Sequence, residues 1–159
     1  MRSPLAPYLA FAAFGVFWGT WGSVLPALRD LGGLTAAELG GALLWIGVGA
    51  LPAMMFTGRA VDRFGVRITG LLLITLAASG VLLAWQAHDL LSISVGMLLI
   101  GATSGSSDVA ANALAALGEA RSSRRVITLS HAVFSAFVGQ VPWCGVTPVV
   151  PCGGWRVRR

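Results

Sequence analysis

The run Gly58-Arg59-Ala60-Val61-Asp62-Arg63-Phe64-Gly65-Val66-Arg67 is the only dense charge cluster in the first 117 residues of the chain. Long uncharged runs lie on both sides, so it reads as a short, tightly turned loop joining two membrane-spanning helices. Three arginines in ten residues match the rule that short cytoplasmic loops carry the basic excess, which places this loop on the cytoplasmic side. Gly58 and Gly65 suit sharp reversals of the backbone, and Asp62 and Arg63 stand where a helix end can be capped or paired.

Composition points the same way. The 159 residues are 56% hydrophobic and 11% charged, with a mean hydropathy of +0.81. Soluble domains average about 25% charged residues, so the solvent this chain is built for is lipid. A net charge of +5, carried by arginine with no lysine, would suggest nucleic acid in a soluble protein. Here the arginines fall between apolar runs, where membrane topology explains them, and nucleic acid is not an expected partner. Cys144 and Cys152 have no metal-ligand spacing to a histidine pair. A disulfide between them is open but not required, and neither metal nor cofactor is expected. Arg2 followed by apolar residues also resembles the start of a secretion signal. The apolar run from Leu5 to Leu28 is longer than such a signal and lacks a small-x-small cleavage site, so it reads as a retained helix.

Five spans are expected, near residues 8–28, 39–57, 68–86, 90–117 and 126–143, with the N-terminus cytoplasmic. The first has 21 uncharged residues, about 30 Å of helix, matching the hydrocarbon core. Its Gly15, Gly19 and Gly22 allow close helix approach, and Trp18 and Trp21 lie mid-span, where they serve either helix packing or the wall of a cavity. Pro52 interrupts the second span. The third, uniformly apolar, is expected to face lipid, and His88 and Asp89 close it into a hairpin with the fourth. Beyond Gln140 the prolines, both cysteines and Arg156, Arg158 and Arg159 break the pattern, leaving residues 141–159 as an atypical tail.

The fourth span differs in carrying Asp108 and Asn112, which at a spacing of four project from one helix face. An acid that deep usually faces a bundle interior or a wet cavity, the alternative being a carboxylate that reaches the cytoplasmic surface. His131 in the fifth span is either a proton-responsive group or a hydrogen-bonded structural histidine. Arg121, Arg124 and Arg125 form the second basic loop.

The spacing Gly-x-x-x-Asp-Arg-x-Gly-x-Arg, carried by Gly58, Asp62, Arg63, Gly65 and Arg67 between the second and third spans, resembles the signature of the major facilitator superfamily (MFS) at that place. Val66 stands where the pattern usually has a second basic residue, and Arg59 is bulkier and more charged than usual. The Ser-Ser-Asp-Val-Ala-Ala-Asn-Ala and Ser-His-Ala-Val-Phe-Ser segments within Gly101 to Gln140 are similar to a bacterial sugar-permease-like branch. The resemblance covers residues 8 to 140. It implies an all-α membrane protein, a multi-pass protein of the cell membrane, comprising an incomplete N-terminal six-helix half of an MFS transporter. It further implies that the fourth helix lines the central cavity, making Asp108 and Asn112 partners for a small solute or a coupling proton, with Trp18, Trp21 and His131 as further candidates.

A membrane enzyme would need a paired-acid or metal-ligand constellation at one face, and the acids here are scattered. A non-transporting membrane fragment is the other reading. With five spans and a basic tail, the chain reads as truncated or frame-altered and is expected not to transport alone. Its Gly15/Gly19 and Gly101/Gly105 faces offer packing surfaces for a second copy.

Overall fold

A computed structural model describes residues 5–122 and 124–140, and every regular element among them is helical. They are α1 (Ala6–Leu31), α2 (Ala36–Phe64), a 3-10 turn (Gly65–Ile68), α3 (Thr69–Gln86), α4 (Leu90–Ser122) and α5 (Val126–Gln140). Three continuous stretches are long and apolar enough to cross a membrane: Ala6–Leu31, Ala36–Gln86 and Leu90–Ser122. The second, of 51 residues, contains α2, the turn and α3. The apolar part of α5, Val126–Gly139, is shorter. The chain is an all-α membrane protein. The tail 141–159, with Cys144 and Cys152, lies outside the described residues, as do the last three residues of the expected fifth span.

Local chemistry fixes the helix ends. Pro7 sits in the first turn of α1, where its missing N–H costs nothing. Thr35 and Glu38 form a reciprocal capping box at α2: the Thr35 hydroxyl accepts from the Glu38 N–H at 3.3 Å, and the Glu38 carboxylate accepts from the Thr35 N–H at 2.8 Å. Asp89 accepts from the Ser92 N–H at 2.8 Å where α4 begins. Glu119, near the end of α4, accepts the Ile127 N–H at 3.0 Å and so covers an orphan donor of α5.

α4 is the central helix, packing against all four others. Gly101 of α4 meets Ile46 of α2, Gly105 meets Ala50 and Ser106 bonds Thr57, so these two helices run parallel at close range, with Gly49 against the Leu98 carbonyl in the same seam. Gly96 takes the Leu83 side chain, the Ser79 and Thr103 hydroxyls lie 2.9 Å apart, and the Thr69 hydroxyl donates to the Ala110 carbonyl at 3.3 Å. Those contacts set α3 antiparallel to α4. α1 and α5 run parallel, with Phe11 beside His131 and Phe14 beside Phe134. The core joins Phe14, Trp21, Leu28, Leu76, Leu83, Ile93, Met97 and Ile100. α3 buries only Leu76, Ser79, Leu83 and Thr69, while Leu71, Ile74, Val81 and Trp85 remain exposed, as a lipid-facing span requires.

Three expectations change. The charged run is not a ten-residue loop: α2 continues helical through Gly58, Arg59, Asp62 and Arg63 to Phe64, and only Gly65, at φ +70°, makes the reversal. Nothing between Gly58 and Phe64 breaks a helix, and the backbone need not turn where the hydrophobicity stops. Arg121 likewise belongs to the last turn of α4, where a cation is favoured by the helix dipole. The glycine faces are also occupied within the chain. A Cβ on Gly15 would lie 2.6 Å from the Phe134 carbonyl oxygen, and one on Gly105 3.0 Å from that of Ala50, so these surfaces pack α5 and α2 rather than a second copy.

Candidate functional site

One turn of α4 separates Asp108 from Asn112, and the structure links them to His131 of α5. The Asn112 amide donates through Nδ2 to Asp108 Oδ1 at 3.1 Å and to the Asp108 carbonyl at 3.0 Å. That leaves Asn112 Oδ1 as an acceptor, and it faces His131 Nε2 at 3.3 Å. An acceptor there selects an imidazole with its proton on Nε2, either as that tautomer or as the cation. The three side chains form one hydrogen-bonded line from a carboxylate, through an amide, to an imidazole.

Their surroundings are apolar. Phe11 of α1 meets the His131 ring edge-on, centroids 4.8 Å apart, and Phe11, Ala10, Ala111, Ala115 and Val126 form a buried cluster alongside. Asp108 and Asn112 are half-buried, while His131 is exposed. The His131 carbonyl accepts the Ser135 hydroxyl at 3.0 Å, which leaves its ring free for Asn112. The line can accept a proton at one end, donate one at the other, and offer polar atoms to a solute.

Trp18 and Trp21 both pack among the helices, and Trp21 also lines a cavity of about 370 Å³ with Phe17, Val24 and Ala77. Trp21 is buried in the core, and Trp18 packs against that core with its ring perpendicular to Phe14 and Phe17, centroids 6.4 and 5.8 Å away. They lie about two and three turns along α1 from Phe11. The loop-motif residues form a separate group. Asp62, Arg63 and Arg67 are exposed, and the Arg63 guanidinium lies 5.5 Å from the Phe64 ring centroid.

Several polar residues escaped the sequence reading. Thr57 of α2 and Ser106 of α4 share a hydroxyl hydrogen bond of 2.9 Å. Ser130 is fully buried, its hydroxyl without a partner among the described residues. Phe11 was within reach of the sequence: Phe11, Phe14, Trp18 and Trp21 recur at spacings of three and four, which is one helix face. The Glu119 contact to α5 carries no such periodic signal. No group of three or more metal-ligating side chains occurs among the described residues.

Two curated relatives match most of the chain. It is 33% identical over 144 residues to an uncharacterized transporter of Sinorhizobium fredii, a match covering 85% of this chain and 37% of that protein. It is 30% identical over 148 residues to an uncharacterized MFS-type transporter of Yersinia pestis, covering 89% of this chain and 38% of that one. The chain thus spans less than two fifths of the length of either relative. No protein-family model matches it, and no solved structure does.

Proposed function

From the premise that the chain belongs to the major facilitator superfamily of membrane transporters, we infer that it forms part of the N-terminal half of a transporter moving a small solute by alternating access, coupled to protons. The observation that carries this reading is the Asp108–Asn112–His131 line across the seam between α4 and α5. Ionisable groups within membrane spans serve solute or proton pathways far more often than they serve packing. A change of charge on Asp108 or His131 alters what Asn112 is bonded to, and so alters how tightly α4 and α5 are held. That couples a proton to helix movement. The solute would sit between this half and a second one, which is where such folds bind their cargo. Residues 1–140 are the membrane domain in this reading. The basic residues at the ends of α2 and α4 support a cytoplasmic N-terminus in this reading, with the chain in the cell membrane.

The test uses the complete relative from Yersinia pestis in liposomes with a pH-sensitive dye inside, screened against neutral sugars and other small solutes. Where the residue aligned with Asp108 is an acid, its replacement by Asn is expected to abolish solute-dependent proton movement and to leave counterflow of the same solute. Unchanged proton dependence removes Asp108 from the mechanism. A second reading is a membrane partner with no transport of its own. Liposomes holding only this polypeptide separate the two: saturable counterflow that Asp108→Asn abolishes supports transport by the chain, and none supports the partner role.

A further inference from the structure

We propose that the crevice where α1 begins, α4 ends and α5 begins binds an anionic phospholipid, with its phosphodiester held by Arg121 and Arg124 and an acyl chain laid along the adjoining groove toward α3.

The crevice encloses about 580 Å³, and Tyr8, Leu114, Leu117, Gly118, Arg121 and Arg124 are among its walls. A second cavity of about 430 Å³, bounded by Leu9, Arg67, Gly70 and Leu73, shares Ala6, Val66 and Leu114 with it, so the two adjoin. Arg121 and Arg124 stand in the first cavity, and the second is walled by apolar residues apart from Arg67 and Thr69. Among the described residues, no aspartate or glutamate lines either cavity. Arg67, Arg121 and Arg124 are exposed, and their guanidinium groups have no hydrogen-bond or ion-pair partner among the described residues. Glu119, the nearby acid on α4, is engaged by the Ile127 N–H at 3.0 Å.

The depth also fits. α4 has 33 residues, about 50 Å of helix at 1.5 Å per residue, against a hydrocarbon core of about 30 Å. Arg121 in its last turn therefore stands at the level of the headgroups. Arginine grips phosphate through two parallel N–H donors, and basic pockets between membrane helices are recognised sites for anionic headgroups. The excess of positive charge selects an anionic lipid over a zwitterionic one. The apolar groove selects a lipid over free phosphate. This site is separate from the Asp108–Asn112–His131 line and stands whether or not that line moves protons.

The full chain, purified in detergent, is examined by native mass spectrometry with phosphatidylglycerol, phosphatidylcholine or inorganic phosphate added. Phosphatidylglycerol is expected to be retained about tenfold more than phosphatidylcholine. The R121Q/R124Q double variant is expected to lose that preference, while R29Q, in the last turn of α1, keeps it. Filling the groove with Gly70→Trp is expected to weaken phosphatidylglycerol retention several-fold with both arginines intact. Circular dichroism confirms that each variant keeps its helices. Equal retention of the two lipids, or an undiminished preference in R121Q/R124Q, overturns the proposal. So does displacement of the lipid by millimolar inorganic phosphate, which would reveal an anion site indifferent to the groove.

Discussion

Gly101→Ala tests the close approach of α2 and α4. A Cβ at this position would meet the backbone of Ile46: its carbonyl oxygen, and its carbonyl carbon and Cα at 2.7 Å. Backbone cannot rotate away as a side chain does, so α2 and α4 must separate by several tenths of an ångström or more. Overpacking of that kind costs about 1–3 kcal/mol. For a chain of this length each kcal/mol moves the midpoint by roughly 2–4 °C, so the expected fall in Tm is ~2–12 °C. The control is Gly47→Ala on α2, where an added Cβ meets nothing within 4 Å. Relief of glycine's helix penalty there should stabilise by about 0.5–1 kcal/mol, the opposite sign. Thermal unfolding in one detergent, followed by tryptophan fluorescence, reads both. If Gly101→Ala melts with or above the parent while Gly47→Ala behaves as expected, α2 and α4 do not touch through Gly101, and the parallel pairing is wrong.

Two further perturbations address the helix ends and the orientation. Hydrogen bonds from the Ser92 N–H and hydroxyl hold the exposed Asp89 carboxyl below its usual range, so its folded-state pKa is lower than its unfolded one. It stabilises α4 above the unfolded value, about pH 3.9, and that contribution fades as pH falls through the folded value. Asp89→Asn should therefore remove part of the acid-side loss of helicity followed by circular dichroism, and an unchanged acid limb would show the cap to be inert. With Cys144 and Cys152 replaced by serine, single cysteines at positions 62 and 89 should label from opposite sides of the membrane, position 62 only from the cytoplasm; labelling of position 62 from outside reverses the orientation.

Much of the architecture was legible because hydropathy in a membrane chain reports burial in lipid directly. The five helices, the His88–Asp89 hairpin and the lipid-facing α3 all follow from it. It reports where the chain leaves lipid, however, and not where the helix ends. That is why α2 runs on through Arg63 and why Arg121 is helical. The Asp108–Asn112 pairing followed from a spacing of four on one helix. Its link to His131 depends on how α5 docks, through Gly15 against the Phe134 carbonyl, and no local pattern encodes which glycine meets which carbonyl. For the two tryptophans residue type alone left helix packing and a cavity wall open, because it does not distinguish an aromatic that packs from one that lines a cavity, and Trp21 does both.

The central place of α4 has a consequence for how the molecule is made. Helices leave the ribosome in chain order, and α4 is the fourth. Until Leu90 to Ser122 has been inserted, α2 has no principal helical partner, and the Gly49 notch and the Leu83 side chain that will meet Leu98 and Gly96 stand against lipid instead. The first 89 residues can pair only α1 with α3, through contacts such as Gly80 against Phe17. Assembly therefore waits on one late segment that carries Asp108 and Asn112 within its length. The serines, threonines, Asp108 and Asn112 that make α4 a reluctant entrant to the bilayer are the same groups that gather its neighbours once it arrives.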